Sequence, residues 1–107
     1  MIRSFQALWV SVSLFVHVVD QVSAAESDRA AQIAATCASC HRLDGHDKGI
    51  PSIVGLDADK LIGMMQAYKL NERPSLIMHA VSLSLSSDEI AGVARYLAAQ
   101  RDEAKPQ

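Results

Sequence analysis

The first pattern along the chain is an apolar run without Asp, Glu, Lys or Arg, ALWVSVSLFVHVV from Ala7 to Val19. Arg3 precedes it, and the small residues VSA and SAA follow it. A basic start, a short apolar stretch and a small-residue cleavage site are the parts of an export signal. The run is about 13 residues, short of the 17 or more that spanning a bilayer needs, and His17 and Asp20 interrupt its far end. A signal peptide over 1–25, cleaved after Ala24 or Ala25, is therefore expected over a retained membrane anchor. One exported domain, 26–107, follows.

Within that domain the apolar period becomes helical. AESDRAAQIAATCASCH, Ala25 to His41, places Ala30, Ile33, Ala34 and Cys37 on one stripe, with Ser27 as the expected cap and Asp28 in the first turn. Arg42 to Gly55 has three glycines, a proline and no period, so it reads as a loop of about 14 residues that something must hold. Asp57 to Glu72 forms a second helix with Leu61, Met64, Met65 and Tyr68 on one face, ended by Pro74. Ser75 to Leu85 reads as a second irregular stretch, although VSLSL alternates as a strand does. Ser86 to Arg101 is the clearest helix: Ser86 and Glu89 make a capping box, and Ile90, Val93, Ala94 and Leu97 make the buried stripe. The tail DEAKPQ is expected to fray. Three main helices, irregular loops and no strand define an all-α class.

Size changes this picture more than charge does. Removing 25 of 107 residues leaves 82, and an alanine-rich core in so short a chain calls for a disulfide, metal or cofactor. Removal of Arg3 and Asp20 takes Lys+Arg from 10 to 9 and Asp+Glu from 12 to 11, so the net charge stays at −2. Nothing in that balance forms a basic stripe for nucleic acid or an acidic solvating tail. A bulky apolar group at the centre, with the loops wrapped over its faces, would reconcile modest helices with long connections.

Both cysteines lie in CASCH, residues 37–41. A thioredoxin-like redox pair needs a preceding strand, which is absent from the pattern. A zinc site needs four ligands, and His46 and His79 do not form a second pair. A disulfide across two residues closes a tiny loop and stabilises little. The remaining chemistry is C-x-x-C-H as a covalent haem attachment, in which Cys37 and Cys40 form thioethers and His41 is the proximal iron ligand. Random placement gives two cysteines this spacing about 2% of the time, with a histidine behind the second in roughly 4% of those, on the order of one in a thousand.

On a terminal helical turn, positions 37, 40 and 41 share one side. His41 needs its other ring nitrogen hydrogen-bonded to fix its tautomer, and the Pro51 carbonyl is the expected acceptor. For the distal position the candidates are His46, Met64, Met65, Met78 and His79. Met64 and Met65 sit mid-helix, where methionine more often fills a core. His46 is too near His41 to cross the ring. Met78 is favoured, since a thioether raises the potential and suits electron transfer, with His79 or an open position as the alternatives. Tyr68, Arg73 and Tyr96 serve either to pack the haem and reach its propionates or as ordinary core and surface residues. No arrangement of general acid, base or nucleophile stands out, so the chain is not expected to be an enzyme by itself.

The run from CASCH through GIPSIVGL to IMHAVSLSLSSDEIAGVARYLAAQ resembles class I c-type cytochromes over nearly the whole exported domain. IPSIVGL, MMQAYKLNERPSLIMH and LSSDEIAGVARYLAA are similar to the small cytochrome subunit of flavocytochrome c sulfide dehydrogenases, and more distantly to halves of cytochrome c4. The resemblance implies one covalent haem c, a cytochrome c-like fold, a periplasmic location and a redox protein partner, here a flavoprotein subunit. It also puts the distal methionine of an S-x-I-M stretch on Met78. Where those subunits carry a lysine-glycine-aromatic run after that methionine, this chain has AVSLSLS. The contrasting expectation is a haem-based ligand binder or sensor with an open or labile sixth position.

Overall fold

The computed structural model describes residues 6–47 and 49–100, with side chains from residue 21 onward. Arg3 and the tail 102–107 lie outside the described residues. Four helices appear in order: α1 (Gln6–Cys37), α2 (Ala58–Lys69), α3 (Leu76–Leu83) and α4 (Ser87–Ala99), with no strand among the described residues. The class is all-α. Helix α1 packs on α4, and α2 packs on both α3 and α4.

Helix α1 is 32 residues, about 48 Å at 1.5 Å per residue. Residues 21–29 are all exposed, and burial begins at Ala30. From there the expected stripe holds: Ala30, Ile33 and Ala34 are buried against α4, and Cys37 is half-buried. Ser27 does not cap the helix, because the apolar residues before it are helical as well and α1 runs through it. The expected cleavage boundary thus falls inside a continuous helix. Arg29 grips Glu89 through Nε at 3.0 Å and Nη2 at 2.7 Å, and Arg95 approaches Glu26 at 3.6 Å, tying α1 to α4 at the surface. Among the described residues no helix is long and apolar enough to cross a membrane.

Helix α4 follows its sequence signals closely. Ser86 Oγ accepts from the Glu89 N–H, and the Glu89 carboxylate accepts from the Ser86 N–H. That reciprocal bond, and then Arg29, hold the Glu89 carboxyl below its ordinary value. Ile90, Val93, Ala94 and Leu97 are buried, Ile90 completely.

Helix α2 is capped by Asp57, whose side chain accepts from Lys60 N–H. It ends five residues before Pro74, the stop expected from the sequence. Asn71 adopts a left-handed conformation at φ 57°, so its N–H reaches Tyr68 O at 3.0 Å and the Glu72 N–H reaches Ala67 O at 2.8 Å. These two bonds make a Schellman end, which satisfies terminal carbonyls without help from a proline.

The stretch expected to be irregular, Ser75 to Leu85, is mostly helix α3. Ser75 caps it, accepting from Met78 N–H at 3.1 Å. Its serines fit a helix because their hydroxyls bond locally: fully buried Ser82 donates to His79 O at 2.9 Å. Leu76, Ile77 and Leu83 on the outer side stay exposed. The connection after α1 has no regular element from 38 to 57 among its described residues, as the sequence implied for Arg42 to Gly55, but residues 38–41, expected to be helical, form a turn instead because α1 ends at Cys37. It is held by Leu43, Ile53 and Leu56, which pack on the core, and by Gly55, whose φ of 76° lets its N–H face Leu97 O at 3.5 Å.

Candidate functional site

The end of α1 delivers the CASCH residues. The helix proper stops at Cys37, and His41 N–H returns to Cys37 O at 2.9 Å, so one further turn brings the imidazole back beneath Cys37. Cys37 and His41 both line an apolar cavity. Cys40 does not. It sits on the exposed side of the 38–40 turn, 3.9 Å from Ser39 Oγ, and both cysteines are free thiols. The convergence expected of positions 37, 40 and 41 is therefore partial, because α1 tightens into a turn after Cys37 and Cys40 N–H bonds to Cys37 O at 3.2 Å. Burial pushes the Cys37 thiol above its ordinary value, so it is a neutral thiol in an apolar wall.

His41 Nδ1 donates to the Pro51 carbonyl oxygen at 2.6 Å. A carbonyl only accepts, so this bond assigns the proton to Nδ1 and leaves the Nε2 lone pair free as a ligand. Pro51 itself is exposed and does not line the cavity; it contributes its backbone oxygen from the loop. At the loop's start Arg42 pairs with Asp44, and this pair, then the His46 N–H, hold the Asp44 carboxyl well below the usual range. His46 is exposed and far from any role in the cavity wall.

The opposite walls come from the other three helices. Helix α2 supplies Leu61 and Met65, α3 supplies Met78 and Val81, and Leu85 follows it. The floor is Ile90, Val93, Ala94 and Leu97 of α4. Of the distal candidates, Met78 and Met65 line the cavity, while Met64 packs against the core outside it. His79 is engaged elsewhere, donating from Nδ1 to Tyr68 O at 2.7 Å. Arg73 stacks on the Tyr68 ring at 5.1 Å and Tyr96 packs on the core, and none of Tyr68, Arg73 and Tyr96 lines the cavity. The alternation of VSLSL concealed Val81 and Leu85 as wall residues; the cap at Ser75 was the signal that α3 is helical.

The cavity volume is about 50 Å³, and its empty space reaches about 440 Å³ when the open mouth is counted. The smaller figure decides what the closed shape holds, which is a few waters. A thiol, an imidazole with one free nitrogen and a thioether border this otherwise apolar space. Cys37, His41 and Met78 are residues of a kind that could hold a flat, apolar, iron-bearing ring, whereas Cys40 lies outside the lining and the closed space is smaller than such a ring. Among the described residues no three or more His, Cys, Asp or Glu side chains gather to hold a bare metal ion. No protein-family model matches the chain, and a search of curated proteins found no match.

Proposed function

We propose that this chain is a periplasmic mono-haem c-type cytochrome that passes single electrons, exported with residues 1–25 removed and without stable membrane insertion. Cys37 and Cys40 would hold haem c through two thioethers, each formed by addition of an S–H across a vinyl group with no atom released. The reading is carried by one observation: Cys37, His41 and Met78 meet around a single apolar cavity, with His41 Nδ1 committed to Pro51 O.

Bound haem supplies a one-electron iron couple. The protein's residues do the rest. Pro51 O holds the His41 proton on Nδ1, so Nε2 would be the atom offered to the iron. As an iron ligand, the thioether of Met78 would favour the reduced state and raise the potential. Around a bound haem, the apolar walls from α2 and α4 would keep water away, so that the ligands and burial would set the charge at the iron. The partner is a redox protein, and the resemblance of the sequence makes a flavoprotein sulfide dehydrogenase subunit the first to test. In that assembly the chain accepts electrons and does no substrate chemistry itself.

The test is expression with the native leader in a host that matures c-type cytochromes, followed by acid-acetone extraction of the denatured protein. Haem should stay with the polypeptide, and Cys37→Ala or Cys40→Ala should greatly reduce stable incorporation. Free release of haem from the wild type would sink the covalent reading. Copurification of a flavoprotein with the exported chain decides the subunit role.

A further inference from the structure

Helix α3 is short, and it docks on one narrow side. Leu76, Ile77 and Leu83 face out, with Leu76 88% and Ile77 72% exposed. Its inner side carries Met78 and Val81 into the cavity wall. Next to Met78, His79 reaches the other way and donates from Nδ1 to Tyr68 O at 2.7 Å. Adjacent helical residues are about 100° apart, so one turn of α3 presents the thioether to the cavity and the imidazole to α2.

The acceptor is a specific one. Tyr68 O lies in the last turn of α2, where carbonyls lack helical partners. The Asn71 N–H takes one lone pair at 3.0 Å, and His79 takes the second. His79 is thus a side-chain cap for α2 delivered from α3. It is anchored in its own helix by its N–H to Ser75 O at 2.9 Å and by the buried Ser82 hydroxyl on its carbonyl. Among the described residues, a second polar tie between α2 and the segment carrying α3 runs from Lys69 Nζ to Leu85 O at 2.6 Å, beyond the far end of α3.

We infer that His79 is a positioning residue, which latches the Met78 turn of α3 to the end of α2 and so keeps the thioether directed into the cavity. The inference rests on the proposed haem reading and adds to it a determinant of how firmly the distal ligand is held. Loss of the latch leaves the fold but lets the Met78 turn lift, so that external ligands reach the site more often. One hydrogen bond of this kind sets the scale, roughly a five- to tenfold rise in the population with Met78 withdrawn.

The experiment uses the haem-loaded full chain as wild type, His79→Leu, His79→Asn and Lys69→Met. The readouts are the near-infrared sulfur-to-iron band of the oxidised protein, carbon monoxide association with the reduced protein, and Tm. Wild type should show the band. His79→Leu should weaken it and speed carbon monoxide association roughly five- to tenfold. His79→Asn, which retains an N–H donor at nearly the same place, should behave close to wild type. Lys69→Met should lower Tm without changing band or association, since it loosens the hairpin away from Met78. A wild type without the band overturns methionine ligation and this inference with it. A wild type with the band, beside a His79→Leu protein unchanged in band and association, overturns the inference alone. So does a His79→Asn protein that fails like the leucine variant, or a Lys69→Met protein that matches it.

Discussion

Met78→Ala separates the packing role of this side chain from its proposed role at the iron. The substitution removes the γ-carbon, sulfur and ε-methyl of a half-buried residue in the cavity wall. Full burial of three such groups is worth about 2.4 kcal/mol at about 0.8 each, so half-burial sets the packing loss near 1 kcal/mol. In a domain of this size that lowers Tm by about 4–8 °C. Met65→Ala, equally half-buried in the same wall, should cost the haem-free protein a similar amount. The two variants should diverge once haem is attached. Met78→Ala should lose the near-infrared band, bind carbon monoxide readily when reduced, and fall in potential. Each tenfold preference of the thioether for reduced iron is worth about 59 mV, so a fall of roughly 60 mV or more is expected. Met65→Ala and Met64→Ala should keep the band. The reasoning fails if Met78→Ala retains the band while a helix α2 methionine variant loses it. If no methionine variant changes the spectrum, His79 becomes the leading distal ligand despite its bond to Tyr68 O. If the wild type itself binds carbon monoxide avidly, the ligand-binder reading replaces electron transfer.

Three further outcomes concern the scaffold. Ile90→Ala, at a fully buried position on the cavity floor, should destabilise the protein by about 2–5 kcal/mol in denaturant titration; a loss below about 1 kcal/mol would mean that the floor is not closed in solution. Asn71→Val puts a β-branched residue at φ 57° and should cost about 1–3 kcal/mol, whereas Asn71→Gly should be neutral or better; equal stability of all three proteins would rule out the left-handed end of α2. The Glu89 carboxyl is held low by the Ser86 N–H and then by Arg29, so its contribution is present above its unfolded pKa of about 4.3 and is lost as pH falls through the lower folded value. The Tm advantage of wild type over Glu89→Gln should accordingly be constant near neutral pH and shrink on acidification below about pH 4, and an advantage that grows with acid would refute the sign.

What the sequence determined alone was whatever a few neighbouring residues settle among themselves. The α4 helix was legible because its cap, Ser86 with Glu89, and its stripe, Ile90 to Leu97, lie within one segment. The same holds for the inner face of α2, where Leu61, Met64 and Met65 reach the core or the cavity. Tertiary structure decided the rest. Ser27 is a cap only if the chain before it leaves the helix, and here the preceding apolar stretch continues it. Pro74 would have ended α2, but Asn71 had already closed it with two backbone bonds. The serines of VSLSL suggested alternation, yet Ser82 is buried in α3 because His79 O accepts its hydroxyl. The meeting of Cys37, His41 and Met78, and the exclusion of Cys40, depend on how α1 ends and how α3 leans on α2. No pattern within a single segment carries those long-range contacts, since they arise only when separate apolar faces bury one another.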